Sequence, residues 1–207
     1  MRTLPTRNPY NRKRGEEMSS EKSTSHERLR EHEAVLVIRE AVQNDAAVLA
    51  GMLREAAEVM VSRGVEQWKP EMFSMETILE YFDSRRVFLL TSDGNPAGLF
   101  TLQDSDPGYW QELNDERYLY LHRLTVRPEY RGFDYGGKML HYAEAEAVRL
   151  GKRGLRLDCV AHLPGLNAYY QRSGFRFIAE RDLRRSVGGR YVNLYEKTNQ
   201  KQKNNGS

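Results

Sequence analysis

Apolar residues along this chain recur at two spacings, and each spacing predicts an element. Ala34-Val35-Leu36-Val37-Ile38-Arg39 is a short apolar run with β-branched members and reads as a strand. Val48, Leu49, Met52, Leu53, Ala56, Val59 and Met60 then share one helical face, with Asn44 or Asp45 placed to cap its start and Gly64 its end. Residues 65–73 read as a loop, and Met75–Ser84 as a second helix on which Ile78, Leu79 and Phe82 align. Val87-Phe88-Leu89-Leu90 and residues 97–102 form two strands joined by the hairpin signal Asp93-Gly94-Asn95-Pro96. Residues 104–116 make a polar loop and 118–126 a strand. Residues 135–150 make a helix whose face carries Met139, Leu140, Ala143, Ala147 and Leu150, ended by Gly151. Gly154–Val160 is a strand, Pro164–Arg172 a helix and 175–180 a strand. A last strand covers 191–195 after the Gly188-Gly189 turn. The order is mixed α/β, with hairpins early and a strand–helix–strand unit late.

The two ends lack this patterning. Residues 1–33 are dominated by Arg, Lys, Glu and Ser and read as a disordered tail, in which Met18 is an alternative start. A globular domain is expected over 34–197, with a second tail over 198–207. The 207 residues carry a net charge of +3, too small and too dispersed for a nucleic-acid-binding face, and Arg12-Lys13-Arg14 reads as part of a solvated tail. No apolar run reaches the roughly 20 residues that cross a bilayer, and no apolar segment follows the basic N-terminus, so neither membrane nor secretory signal is expected. The single cysteine, Cys159, has no internal disulfide partner, which fits a cytoplasmic location.

Candidate chemistry concentrates in LHRLTVRPEYRGFDYGGKML, residues 121–140. A strand ends at Val126, a turn follows through Arg127-Pro128, and Arg131-Gly132 and Gly136-Gly137 bracket the start of the next helix. Free amides at a helix N-terminus, the helix dipole and glycines that admit a close approach together make an anion site, and Arg131 and Lys138 add positive charge. The P-loop pattern fails because Met139 stands where Ser or Thr must follow Lys138. The dinucleotide fingerprint fails because Asp134 stands where its second glycine belongs.

VRPEYRGFDYGGKML resembles the acetyl-CoA-binding motif of the GCN5-related N-acetyltransferase family, [RQ]-x-x-G-x-[GA]. Leu124-Thr125-Val126 resembles the family's splayed strand. Asn167-Ala168-Tyr169-Tyr170-Gln171-Arg172-Ser173-Gly174-Phe175 is similar to its closing helix. The resemblance implies the acyl-CoA N-acyltransferase fold: a mixed, mostly antiparallel sheet of six to seven strands flanked by helices. It implies acetyl-CoA as co-substrate, held by Leu124, Thr125, Val126, Arg131, Gly132, Phe133, Asp134, Tyr135, Gly136, Gly137, Lys138 and Asn167, and no metal. Two positions depart from the pattern. Asp134 replaces a glycine, and its carboxylate is expected to point to solvent, weaker coenzyme binding being the alternative. Leu163 replaces an asparagine, part of whose role falls to Asn167.

Acyl transfer to an amine needs a base for the amine and a donor for the departing thiolate. By resemblance Tyr170 is the donor. The base stays open between His122, Glu116 and a water chain. Direct transfer is preferred over an acyl-Cys159 route, because no histidine pairs with that thiol in a recognisable pattern. The acceptor pocket is assigned to Trp68, Tyr109 and Trp110 in the two polar loops. Acidic loop members Asp104, Asp106, Glu112, Asp115 and Glu116 either suit a cationic acceptor or are solvated. The expected activity is N-acetylation of a primary amine of a small molecule or protein by a monomer or homodimer. The competing readings are a non-catalytic acyl-CoA-binding regulatory module and an RNA-associated protein using its basic tail.

Overall fold

Strand β2 (Arg86–Ser92) explains the layering, because its apolar residues alternate between two cores. In the computed structural model, which describes residues 34–65, 67–184 and 190–199, Val87 and Leu89 face one core while Phe88 and Leu90 face the other. A strand covered on both faces reads as a continuous apolar run, and VFLL is that run. The expected N-terminal tail (1–33), residues 200–207 of the expected tail over 198–207, and the Gly188-Gly189 turn lie outside the described residues.

The sheet has seven strands: β1 (Leu36–Glu40), β2, β3 (Asn95–Gln103), β4 (Leu119–Val126), β5 (Gly154–Val160), β6 (Arg176–Asp182) and β7 (Tyr191–Thr198). Their spatial order is β1-β2-β3-β4-β5-β7-β6. Every pairing is antiparallel except β4 with β5. One face is covered by helices α1 (Ala46–Ser62) and α2 (Met75–Ser84), through Leu49, Leu53, Ala57 and Ile78. After the helical turn α3 (Pro107–Trp110), the other face receives α4 (Tyr135–Arg149) and α5 (Pro164–Arg172), through Met139, Leu140, Ala143 and Tyr170. This is the mostly antiparallel, helix-flanked sheet that the sequence implies. Strand β7 runs further than expected, to Thr198, and Asn199 is tied back by its amide to Arg153 O at 2.8 Å. No helix among the described residues is long and apolar enough to cross a membrane.

Candidate active site

The site forms where β4 and β5 part. Their parallel ladder covers only Leu119–Leu121 against Leu155–Leu157. Beyond it, β4 carries one residue more than β3: Leu99 faces Thr125 while Thr101 faces His122. This bulge is taken up at Arg123, whose φ is 57°, a left-handed conformation that costs a non-glycine residue about 1–2 kcal/mol. Two cavities open on the parted strands. They share Leu124, Leu166 and Tyr170 as walls.

The first cavity is a groove of about 470 Å³ running from Leu124 and Val126 to Arg131, Gly132, Asp134, Tyr135 and Gly136. At its far end α4 begins. Lys138 donates the first helical hydrogen bond, to Asp134 O at 3.1 Å, so the amides of Tyr135, Gly136 and Gly137 precede the ladder. The loop is anchored by the buried Tyr135, whose hydroxyl pairs with Ser92 Oγ at 2.9 Å. Asp134 has left-handed φ 56° and is exposed, and its carboxylate makes no capping bond. Instead it lies alongside Gly137, in the space that a Cβ there would take. A Cβ on Gly136 would lie 2.8 Å from the Tyr169 hydroxyl, which is buried beside the groove without a hydrogen-bond partner. Unpaired amides, Arg131 and an orphaned hydroxyl are the donor set that a diphosphate needs.

Several expected coenzyme residues sit elsewhere. Thr125 is buried on the opposite side of β4 from Leu124 and Val126, its hydroxyl donating to Arg123 O at 3.0 Å. Phe133 packs against the Tyr135 ring at 6.0 Å, and Lys138 is exposed on the first turn. Asn167 is turned into the protein. Its Nδ2 donates to Val160 O and Leu163 O at 3.0 and 2.8 Å, while its Oδ1 accepts from Cys159, Asn193 and Tyr195. That amide joins α5 to β5 and β7, and no capacity is left for a ligand.

The second cavity, about 400 Å³, is lined by five residues expected from the sequence, Trp68, Tyr109, His122 and the shared Leu124 and Tyr170, and by Asp106, Asp158, Arg85 and Arg123 besides. His122 is the first β4 residue past the ladder, so it faces Asp158, its counterpart past the ladder on β5. Its Nδ1 lies 3.4 Å from Asp158 Oδ1 and its Nε2 3.2 Å from Asp106 Oδ2. Burial raises the Asp158 carboxyl above the usual carboxylate range, His122 opposing and Asp106 adding to the effect. The three side chains offer donor atoms within 4.8 Å of one another, the geometry among the described residues that suits a metal ion. Burial also raises the phenols of Tyr170, far above its ordinary value, and of Tyr109.

Two candidates do not belong to this cavity. Glu116 is exposed in the turn before β4, where its carbonyl accepts from Lys152 Nζ at 2.7 Å, at the opposite end of the strand from Leu124. Trp110 is fully buried in a separate core with Tyr120, Leu183, Val192 and Leu194, under the guanidinium of Arg156 at 4.5 Å. An indole in a polar loop is here a packing residue. Sequence reasoning missed Asp158, Arg85 and Arg123 as cavity residues, and named Asp106 only among the loop acids. Alternation placed Arg123 on the face opposite His122, and the bulge cancels that alternation. Cys159 is buried, its thiol donates to Asn167 Oδ1 at 3.2 Å, and burial pushes its pKa up to about 12, which keeps it a thiol.

The chain is similar to known proteins. Residues 51–175 match the model of the acetyltransferase (GNAT) family. The chain is 31% identical over 144 residues to the uncharacterized N-acetyltransferase YesJ of Bacillus subtilis, covering 67% of this chain and 80% of that one. Among solved structures, a GNAT-family acetyltransferase from Listeria monocytogenes superposes with a TM-score of 0.65 at 23% identity, covering 79% of this chain and 95% of that one. The putative acetyltransferase yncA of Salmonella typhimurium, solved with its cofactor acetyl-CoA, superposes with a TM-score of 0.60 at 16% identity, covering 79% and 93%. The chain belongs to the acetyltransferase (GNAT) family and is an acetyl-CoA-dependent acyltransferase.

Proposed function

We propose that this protein moves the acetyl group of acetyl-CoA onto a primary amine seated in the 400 Å³ cavity, by direct attack. The observation that carries this reading is the junction of groove and cavity at Leu124, Leu166 and Tyr170. A thioester at the end of one and an amine at the end of the other meet there without an enzyme-bound carrier. The amides at the start of α4 and Arg131 hold the diphosphate, and the unpaired edge of β4 at Leu124 and Val126 faces the pantetheine arm. His122, between Asp106 and Asp158, takes the proton from the incoming ammonium. Asp158 and Asp106 stand 3.4 and 3.2 Å from its two ring nitrogens and orient the ring. Tyr170 faces both cavities. A phenol whose pKa is raised by burial stays protonated, so its role is to donate a hydrogen bond to the developing thiolate, which takes the proton that the attacking nitrogen sheds as the amide forms and leaves as the coenzyme A thiol. The buried Cys159 thiol is too weak an acid to carry the acyl group.

The test has two readings. Acetyl-CoA raises the melting temperature of the purified protein by binding linkage. A panel of amino acids, polyamines, aminoglycosides and peptide N-termini is then screened for coenzyme A release. Binding with no thiol release from any acceptor turns the protein into a non-catalytic acyl-CoA sensor. No thermal shift at millimolar acetyl-CoA removes the coenzyme site itself.

A further inference from the structure

The cavity that holds His122 is lined by three arginines that the transfer chemistry leaves unused, Arg85, Arg123 and Arg190, and the first two share one wall. Arg85 stands where α2 gives way to β2, and Arg123 stands on the β4 bulge. Both line the cavity. Their guanidinium groups lie over one aromatic platform. Arg85 is 4.3 Å from the Tyr81 ring centroid and Arg123 is 6.0 Å from the same ring. Arg123 also lies 5.1 Å from Trp68 and 5.2 Å from Phe73. Stacking of this kind fixes the plane of a guanidinium and leaves its N–H edge free to bind.

Among the described residues neither arginine forms an ion pair, and Arg85 Nε is buried without a hydrogen-bond partner. Burial depresses the Arg85 pKa; Tyr81 opposes this, and Arg123 depresses it further. Two cations crowded on one partly buried wall are unfavourable until an anion lies between them. The opposite demand exists beside His122, where the carboxylates of Asp106 and Asp158 suit an ammonium. Each set feels the other's field, Arg85 that of Asp106 and Asp158 that of Arg123, yet no ion pair joins them among the described residues. The cavity therefore carries guanidinium groups over the Tyr81 ring and carboxylates beside His122.

We infer that the acceptor is an amine that also bears an oxyanion, an amino acid in its simplest form, with its amino group at His122 and its carboxylate on the N–H edges of Arg85 and Arg123. This rests on the transferase reading and names the substrate class of the same site. A zwitterion complements a cavity lined by both guanidinium groups and carboxylates, where a polyamine leaves Arg85 and Arg123 uncompensated. The volume of about 400 Å³ is near the small end of the roughly 300–1,000 Å³ typical of small-molecule sites, which favours a free amino acid or short peptide. A guanidinium fork accepts a carboxylate or a phosphoryl group with the same planar pairing. Both sources therefore enter the test.

The experiment measures coenzyme A release from acetyl-CoA with matched acceptors: amino acids, their carboxamides, the corresponding decarboxylated amines, and aminoalkyl phosphonates. The expected result is a kcat/KM for the best oxyanion-bearing acceptor about tenfold to a hundredfold above its uncharged counterpart, the range of a charge-assisted hydrogen bond. Carboxylate over phosphonate identifies the amino acid as the source, and the reverse order identifies an aminophosphate. In Arg85→Gln and Arg123→Gln that preference ratio collapses toward one, chiefly through KM, with the acetyl-CoA thermal shift reporting that each variant is folded. Arg123→Lys keeps charge without the fork and restores part of the ratio. Equal turnover of amino acid and matching amine, or a preference for polyamines, overturns the acceptor class and leaves the transferase standing. Release with no acceptor at all, despite coenzyme binding, overturns the transferase reading and this inference with it.

Discussion

Asp134 is the residue at which helix stability and coenzyme affinity oppose one another. Its carboxylate sits beside Gly137 on the first turn of α4, exposed and without a capping hydrogen bond, next to the amides proposed to receive the diphosphate. Asp134→Asn removes the charge and keeps a side chain that tolerates φ 56°. With a charge separation on the order of 6 Å, Coulomb's law gives about 0.7 kcal/mol per unit charge at the dielectric of water and about 2.8 at an effective dielectric of 20. Exposure of the carboxylate selects the low end, because solvent and salt screen it. Acetyl-CoA should therefore bind Asp134→Asn about 3- to 10-fold more tightly. The same carboxylate complements the helix dipole by about 0.3–1 kcal/mol. The ligand-free variant should accordingly melt lower by up to about 4 °C, at the roughly 2–4 °C per kcal/mol of a domain this size. Titration calorimetry at about 50 and about 500 mM salt checks the first effect, whose gain must shrink at the higher salt by screening. Weaker binding by the variant, or a gain indifferent to salt, refutes the reasoning and makes the carboxylate part of the cradle.

Four further outcomes follow from the geometry. Tyr170→Phe should lower kcat about 10²–10³-fold, the effect of deleting one preorganised donor, while the acetyl-CoA thermal shift persists; equal loss of both makes Tyr170 a packing residue. Gly136→Ala places a methyl 2.8 Å from the Tyr169 hydroxyl and pushes that ring toward the groove, so KM for acetyl-CoA should rise at least about tenfold. Its ligand-free melting temperature should hold, since alanine favours a helix by about 0.8–1 kcal/mol, and unchanged KM would contradict the close approach. Asp158 has a carboxyl raised by burial, so between the ordinary carboxylate pKa and its own the native state holds the extra proton and stability falls as pH rises. Asp158→Asn should therefore gain stability relative to the wild type as pH rises above the ordinary carboxylate pKa of about 3.9, checked by paired melting curves across that rise; a relative loss sinks the argument. Arg156→Ala removes the buried partner of Glu196, whose Oε2 it contacts at 2.8 Å with both side chains about nine-tenths buried, leaves it only the exposed Arg176 at 3.5 Å, and should cost about 3–5 kcal/mol in urea titration. Arg156→Met with Glu196→Leu should restore most of that loss, and a single-variant cost under about 1 kcal/mol would show the pair to be solvated.

The coenzyme groove was legible in the sequence because it is local. Strand end, turn, Arg131, the glycines and the start of α4 occupy one contiguous run, and each carries a recognisable physical signal. Strands and helices were legible for the same reason: VFLL in β2 and the Met139–Leu140–Ala143–Ala147 face of α4 are patterns over neighbouring residues. Trp110 and Asn167 misled for a shared reason. A tryptophan beside Pro107-Gly108 and an asparagine in a helix are polar-context residues by sequence, and only tertiary neighbours decide their use. Arg156 and Tyr120 close over the indole, while Cys159, Asn193 and Tyr195 claim the amide. Glu116 misled by proximity along the chain. Its few residues of separation from His122 become the length of a strand, at about 3.3 Å per residue.

The proposed acceptor cavity was legible only in Trp68, Tyr109 and His122, and its other charged residues were not, because they have no local source. Arg85, Asp106, His122 and Asp158 come from four different elements, and only the fold makes them neighbours. One backbone irregularity brings them together. The bulge at Arg123 ends the β4–β5 ladder after Leu121 and Leu157, which leaves His122 and Asp158 facing each other across the split. It frees the edge of β4 at Leu124 and Val126 for the groove, and it turns Arg123 toward the cavity instead of the opposite face. Donor site and acceptor site thus have one structural cause but separate residues. Changes at Arg85, Asp106 or Asp158 can alter which amine enters without touching the α4 cradle. Closing the bulge would remove both sites at once, and for that reason the strained φ at Arg123 is tolerated in a strand that could otherwise stay paired.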